Sequence, residues 1–163
     1  MSSIEKLTQL EATGNHVFHG SADGNIEILE PRQAMHYPNL PESAEGVLDG
    51  DPAISATPYA DIATFRAMIN RRQIPFSHTS SFDVDTDGKK NFGVSSEEVL
   101  DAVKDKKGFV YVFDKKEFKP YNRNREATES DMEWRSSNPV KPIEVVEVGH
   151  EDLPPRDKIK ISE

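Results

Sequence analysis

A chain of 163 residues, 35% hydrophobic and 30% charged, can bury one sizeable core but hardly two. Its 29 acidic against 20 basic residues leave a net charge of −9, which argues against direct nucleic-acid binding through phosphates unless the bases cluster strongly. The absence of cysteine excludes disulfides, thiolate catalysis and cysteine-based zinc sites, leaving carboxylates, histidines, hydroxyls or a bound cofactor for any chemistry.

Residues 1–14 are polar and read as a flexible lead or a short helix. The start, Met1 to Lys6, lacks the charged-then-apolar order of a secretory signal. No apolar run approaches the length of a bilayer span, so the expected compartment is the cytoplasm and no membrane partner is expected. Residues 15–19 and 26–29 read as extended. Between Glu30 and Pro52, four prolines with Gly46 and Gly50 predict a long irregular loop, a feature often functional in a small domain. Residues 53–57 read as a strand. A helix follows: Pro58 suits its first turn, Thr57 can cap it, and Ile62, Phe65, Ala67, Met68 and Ile69 form its apolar stripe up to Arg71 and Arg72.

Residues 81–86 and 89–94 alternate about Asp87-Gly88 and predict a hairpin. Asp83, Asp85, Asp87 and Gly88 also match the first half of a calcium-binding EF-hand loop, but its twelfth position is Val94 instead of glutamate. Ser95 or Ser96 can cap a helix carrying Glu97, Glu98, Val99, Leu100 and Val103, stopping near Gly108. Residues 109–113 read as a strand, 114–132 as loop, and 140–148 as a last strand interrupted by Pro142, before a charged tail over 151–163. Arg123, Arg125 and Arg135 come nearest to a basic cluster, and a solvated surface is their simplest reading. The fold class is α+β.

Three segments stand out. His19-Gly20-Ser21 ends the first strand, placing an imidazole, a backbone free to approach a flat amide, and a hydroxyl side by side. Ser55-Ala56-Thr57 precedes the helix that carries Phe65, and Glu133-Trp134-Arg135-Ser136 leads into the late strands. In order and approximate spacing over residues 16–148, this trio resembles the diphtheria-toxin-type, His-Tyr-Glu-like ADP-ribosyltransferases. In that family a His-Gly-Thr or His-Gly-Ser motif ends an early strand, a Tyr-x-Thr-like strand precedes a helix with a second aromatic, and a glutamate begins a late strand.

The resemblance implies a split β-sheet core with a few flanking helices over 15–150, and NAD as substrate. His19 would bond the adenine-side ribose, the Gly20 main chain the nicotinamide carboxamide, and Phe65 would stack on the nicotinamide ring. Ser21, Ser55, Thr57 and Tyr59 complete the implied NAD-binding set, and Glu133 would be the catalytic carboxylate. A carboxylate there would stabilise positive charge on the ribose more in the transition state than in the ground state. The implied activity is mono-ADP-ribosylation of a protein or nucleic-acid acceptor, toxin-like in style, with residues 31–52 roofing the cleft.

The sequence departs from the family at its first stacking tyrosine, where Ser55 or Ile54 stands and Tyr59 follows slightly later. Glu129, Asp131 and Glu133 alternate and would share a face if extended, and Asp131 occupies the position of the second acid that arginine-directed transferases use. The missing tyrosine leaves an alternative open: a catalytically inactive interaction or inhibitor module with an acidic binding surface. A tRNA 2′-phosphotransferase, a relative by fold, is disfavoured by the acidic balance. His16 and His19 lie on opposite faces of one strand and so cannot share a zinc ion, and no Gly-x-Ser-x-Gly elbow supports a serine hydrolase.

Overall fold

The computed structural model describes residues 1–36 and 47–162. In chain order its elements are α1 (Ser3–Ala12), β1 (His16–Ser21), β2 (Met35–His36), β3 (Val47–Leu48), β4 (Ile54–Ala56), α2 (Ala60–Met68), β5 (Ser80–Val84), β6 (Lys90–Val94), α3 (Glu97–Ala102), β7 (Lys107–Asp114), β8 (Lys119–Pro120), β9 (Trp134–Ser136), β10 (Glu144–Gly149) and β11 (Ile159–Ile161). The α+β class expected from the sequence is observed. Among the described residues the strands form three three-stranded sheets, ordered β1-β7-β10, β4-β9-β8 and β11-β6-β5, and the ribbon β2-β3.

The first sheet is antiparallel with β7 at its centre, and period-two alternation sorts its side chains into two cores. Phe18, Val110 and Val112 face α2 and join Ile62, Phe65 and Met68; Val17, Tyr111 and Phe113 face the other way and join Ile54, Ala56, Phe118 and Trp134. Helix α2 lies directly on the strands. A Cβ at Gly20 would stand 2.2 Å from the Ala63 carbonyl oxygen and 2.6 Å from the Ala67 nitrogen, and one at Gly108 2.6 Å from the Ala67 carbonyl oxygen. Only a residue without a side chain lets helix and sheet approach so closely.

Several expectations are corrected. Of the two readings of residues 1–14 the short helix is observed and the flexible lead is not: Ser2 caps α1 by accepting the Glu5 N–H, and Leu7 is fully buried. The 151–163 segment is no free tail, because Asp152 accepts the Ile4 N–H and β11 pairs in parallel with β6. Proline density between Glu30 and Pro52 does not abolish regular structure. The limbs of that segment pair as β2 and β3 and bridge Arg32 to Ala53, while residues 37–46, the middle of the expected roof, lie outside the described residues. Helix α2 ends at Met68, before Arg71, and Thr57 is not its N-cap: that place belongs to Tyr59, whose N–H bonds the Thr57 hydroxyl.

The hairpin β5-β6 forms, with a longer turn than two residues. Asp85 accepts the N–H groups of Asp87 and Lys89, and Asp83 accepts from Asn91, which commits two of the three acids of the calcium-like pattern to holding the hairpin. Among the described residues no group of three or more His, Asp or Glu is arranged to hold a metal ion. The last strand starts at Glu144, two residues beyond Pro142, because proline cannot donate to the ladder.

Candidate functional site

β1 meets the second sheet at a single point. Phe18 and Thr57 exchange both backbone hydrogen bonds, Phe18 N to Thr57 O at 2.7 Å and Thr57 N to Phe18 O at 2.8 Å. Two residues further along this antiparallel register Gly20 would face Ser55, but no such pair forms. The Ser55 carbonyl instead accepts the His19 ring at 2.7 Å. The sheets split here, and His19 holds the split.

A carbonyl oxygen only accepts, so the His19 proton sits on Nδ1 and Nε2 presents a lone pair. Burial lowers the His19 pKa from its ordinary value; the Ser55 bond opposes this, while the positive charges of Arg66 and Arg32 add to it. The imidazole is therefore neutral at physiological pH.

Alternation on β9 and its neighbours then assembles a polar face. Ser55 is the cross-strand partner of Arg135, Glu133 lies two residues before Arg135, and the Tyr121 N–H bonds the Glu133 carbonyl. All four side chains fall on one face, while Ile54, Ala56 and Trp134 fill the opposite one. Ser55 Oγ donates to Glu133 Oε2 at 3.0 Å and Arg135 Nε donates to the same oxygen at 2.7 Å. Among the described residues Glu133 Oε1 takes part in no hydrogen bond, and the side chain is about a third exposed (32%). One carboxylate oxygen is anchored and the other has no partner among the described residues.

Arg135 also ties this carboxylate to the segment leading out of β3. Its Nη1 donates to the Asp49 carbonyl at 2.5 Å, its Nη2 pairs with the Asp49 carboxylate at 3.2 Å, and the guanidinium stacks 3.7 Å above the Tyr121 ring. Tyr121 and Arg123 complete the cage, at 2.7 and 3.3 Å from the Asp49 carboxylate. Burial acts to raise the Asp49 pKa, yet the Tyr121 hydroxyl and the two guanidiniums outweigh it and hold the carboxyl below its usual value. The bond to Asp49 in turn raises the Tyr121 pKa.

The remaining expected residues divide. Since Phe18 turns its N–H and C=O toward Thr57, and Asn15 and the other odd positions bond β7, Gly20 points its own N–H and C=O away from β7, along the split edge. Ser21 lies beside it, its hydroxyl accepting the Asp23 N–H, and Tyr111 fixes the following turn through the Asp23 carbonyl and the Ile26 N–H. Tyr59 lines a cavity with Glu133, Tyr121 and Met132, and its hydroxyl donates to the Ser130 carbonyl at 3.2 Å.

Phe65 does not offer an open stacking face: it is 1% exposed, with Phe92 and Phe82 at centroid distances of 5.0 and 6.4 Å. Thr57 is buried, its backbone spent on Phe18 and its hydroxyl on Tyr59. Asp131 is not a second free acid. It is buried, bound by Arg125, Asn122 and the Thr128 N–H, and a turn from Thr128 to Asp131 breaks the alternation that would have aligned Glu129, Asp131 and Glu133. These partners outweigh burial and lower its pKa. His16 bonds the Leu10 carbonyl at the end of α1, away from the site.

Sequence reasoning missed Arg135, Asp49 and Tyr121, and with them Arg32 and Arg66. Only Arg135 carried a readable signal, its two-residue spacing from Glu133. Comparison of the chain with protein-family models, curated proteins and solved structures gives no match.

Proposed function

We propose that the chain is an NAD-dependent mono-ADP-ribosyltransferase of the ADP-ribosyltransferase-like split-sheet type, with Glu133 as the catalytic carboxylate. The observation that carries this reading is the Ser55 junction, which bonds His19 through its carbonyl and Glu133 through its hydroxyl. NAD supplies a ribose whose bond to nicotinamide breaks with the electron pair leaving on nicotinamide, after which an acceptor nucleophile bonds the same carbon and gives up its proton.

Each residue has a part consistent with its geometry. The outward N–H and C=O of Gly20 would pair with the carboxamide, and the neutral His19 would accept a ribose hydroxyl at Nε2. Arg32 and Arg66 supply positive charge beside His19, where a diphosphate would lie. Glu133, with Oε2 fixed, would accept the 2′-hydroxyl at Oε1, and its charge would stabilise the positive charge that develops as nicotinamide leaves. Tyr59 lines the same cavity as this carboxylate, and it would take the place of the family's stacking tyrosine.

The test is nicotinamide release from NAD by the purified chain, alone and with cell extract as a source of acceptor. Release by the wild type that Glu133→Gln reduces at least about a hundredfold, with NAD binding retained, supports the reading. NAD binding without release in either condition points to the inactive interaction module. Absence of both binding and release overturns the transferase reading and leaves the interaction module.

A further inference from the structure

The eight arginines of the chain fall into two groups. Arg123, Arg125, Arg135 and Arg156 each pair with a carboxylate; among the described residues Arg32, Arg66, Arg71 and Arg72 pair with none. All four unpaired arginines line one recess of about 530 Å³ that begins at Gly20 and Ser21 and continues past Asn70 to His78 and Ser80. Among the described residues no acidic residue lines it, in a chain whose acids outnumber its bases. The net charge of −9 averages over this partition and conceals it.

Four guanidiniums without an ion-pair partner in one concave strip repel one another, an arrangement that a bound polyanion relieves. Their forked donors match phosphate oxygens. Aromatic groups accompany them: Arg66 lies over the Phe82 ring at 5.3 Å, and Phe76, 39% exposed, meets the ring of the lining residue His78 edge-on at 6.4 Å. Charge that tracks a backbone, interleaved with aromatic faces for bases, is the pattern of single-strand recognition. A recess also admits one strand more readily than it admits a duplex, whose grooves are read by elements that protrude.

We propose that this arginine-lined recess binds the phosphodiester backbone of a single-stranded nucleic acid. A dinucleotide such as NAD offers the same phosphate chemistry at the Gly20 end, where Arg32 and Arg66 stand. Arg71 and Arg72, beyond them, are what a longer chain of phosphates would add. The proposal concerns binding and does not depend on turnover.

The experiment is fluorescence anisotropy of labelled single-stranded RNA and DNA oligonucleotides of about ten nucleotides with the full chain, between about 50 and 200 mM salt. Binding is expected to weaken with salt, and the double variant Arg71→Ala/Arg72→Ala to lose at least about tenfold in affinity and about one unit of the log–log salt slope. Both residues are exposed, so the variant should keep the wild-type melting temperature, and Arg156→Ala, whose partner is Glu97, should bind as the wild type. Excess NAD should displace the oligonucleotide only in part. Binding unaffected by the double variant overturns the proposal, as does equal binding of a poly-glutamate peptide. So does a recess that binds NAD and no oligonucleotide.

Discussion

Arg135 donates from Nε to Glu133 Oε2 at 2.7 Å while the rest of its guanidinium grips Asp49, so the candidate catalytic carboxylate and the segment that follows β3 share one cation. The Arg135 side chain is 9% exposed and that of Asp49 10%, which makes the pair costly to break. Removing one member leaves the other buried and uncompensated. Arg135→Ala is expected to lower unfolding free energy by about 3 kcal/mol in urea titration. Arg135→Lys keeps the charge but loses the fork and the stack on Tyr121, and should recover only part of it. A stability equal to wild type in Arg135→Ala would show that the cage contributes nothing net.

The same relationship predicts a separable effect at Ser55. Its carbonyl belongs to the backbone and survives substitution, so Ser55→Ala keeps His19 in place and removes only the hydroxyl bond to Glu133. A hydrogen bond to a charged group contributes about 1.5 to 3 kcal/mol. Nicotinamide release by Ser55→Ala should therefore fall about tenfold or more in kcat, with KM for NAD little changed. A rise in KM at unchanged kcat would place the serine in binding instead of in orientation of the carboxylate.

His19 and the buried carboxylates predict two pH windows. The folded pKa of His19 lies below its ordinary 6.5, so between those values the unfolded chain binds more protons than the native one. Stability then rises with pH, and it should be lost progressively as pH falls below about 6.5 toward the folded pKa. Asp49 and Asp131, both lowered from 3.8, follow the same sign further down, where protonation dissolves their arginine contacts. Chemical denaturation as a function of pH should show the upper step in wild type and lose it in His19→Gln, with the lower step retained. An upper step of unchanged size in His19→Gln would assign it to another group.

Much of the fold was legible because it rests on short-range patterns. The strand ending in His19-Gly20-Ser21, the 54–56 strand, the helix carrying Phe65 and the aromatic strand around Tyr111 all follow from period and from turn residues. What failed depended on long-range pairing. The N-terminal segment is ordered by Asp152, nearly the whole chain away, and β11 by β6. The site divided in the same manner. Glu133 and His19 were visible as residue types in motifs, whereas their junction at Ser55 requires knowing that β4 stops pairing with β1 after one residue. Phe65 misled because a helical apolar stripe looks the same from sequence whether it faces a core or a cleft. In the sequence Arg135 reads as surface charge because its partner Asp49 lies 86 residues away, a separation that no local pattern encodes.

Gly20 is the residue on which fold and site coincide. Its N–H and C=O face the split edge, and its missing side chain admits α2. An added methyl group would meet the Ala63 carbonyl oxygen and the Ala67 nitrogen, which are backbone atoms and cannot rotate aside. Gly20→Ala is expected to lose about 3 kcal/mol or more through displacement of α2. Gly88→Ala supplies the comparison: its φ of +80° strains an alanine by about 1 kcal/mol, but nothing lies within 4 Å of the new atom. Equilibrium unfolding of the two variants separates crowding from backbone strain. Gly20→Ala as stable as Gly88→Ala would mean that helix and sheet can slide apart at little cost, and that the close contact between α2 and β1 does not govern the site's geometry.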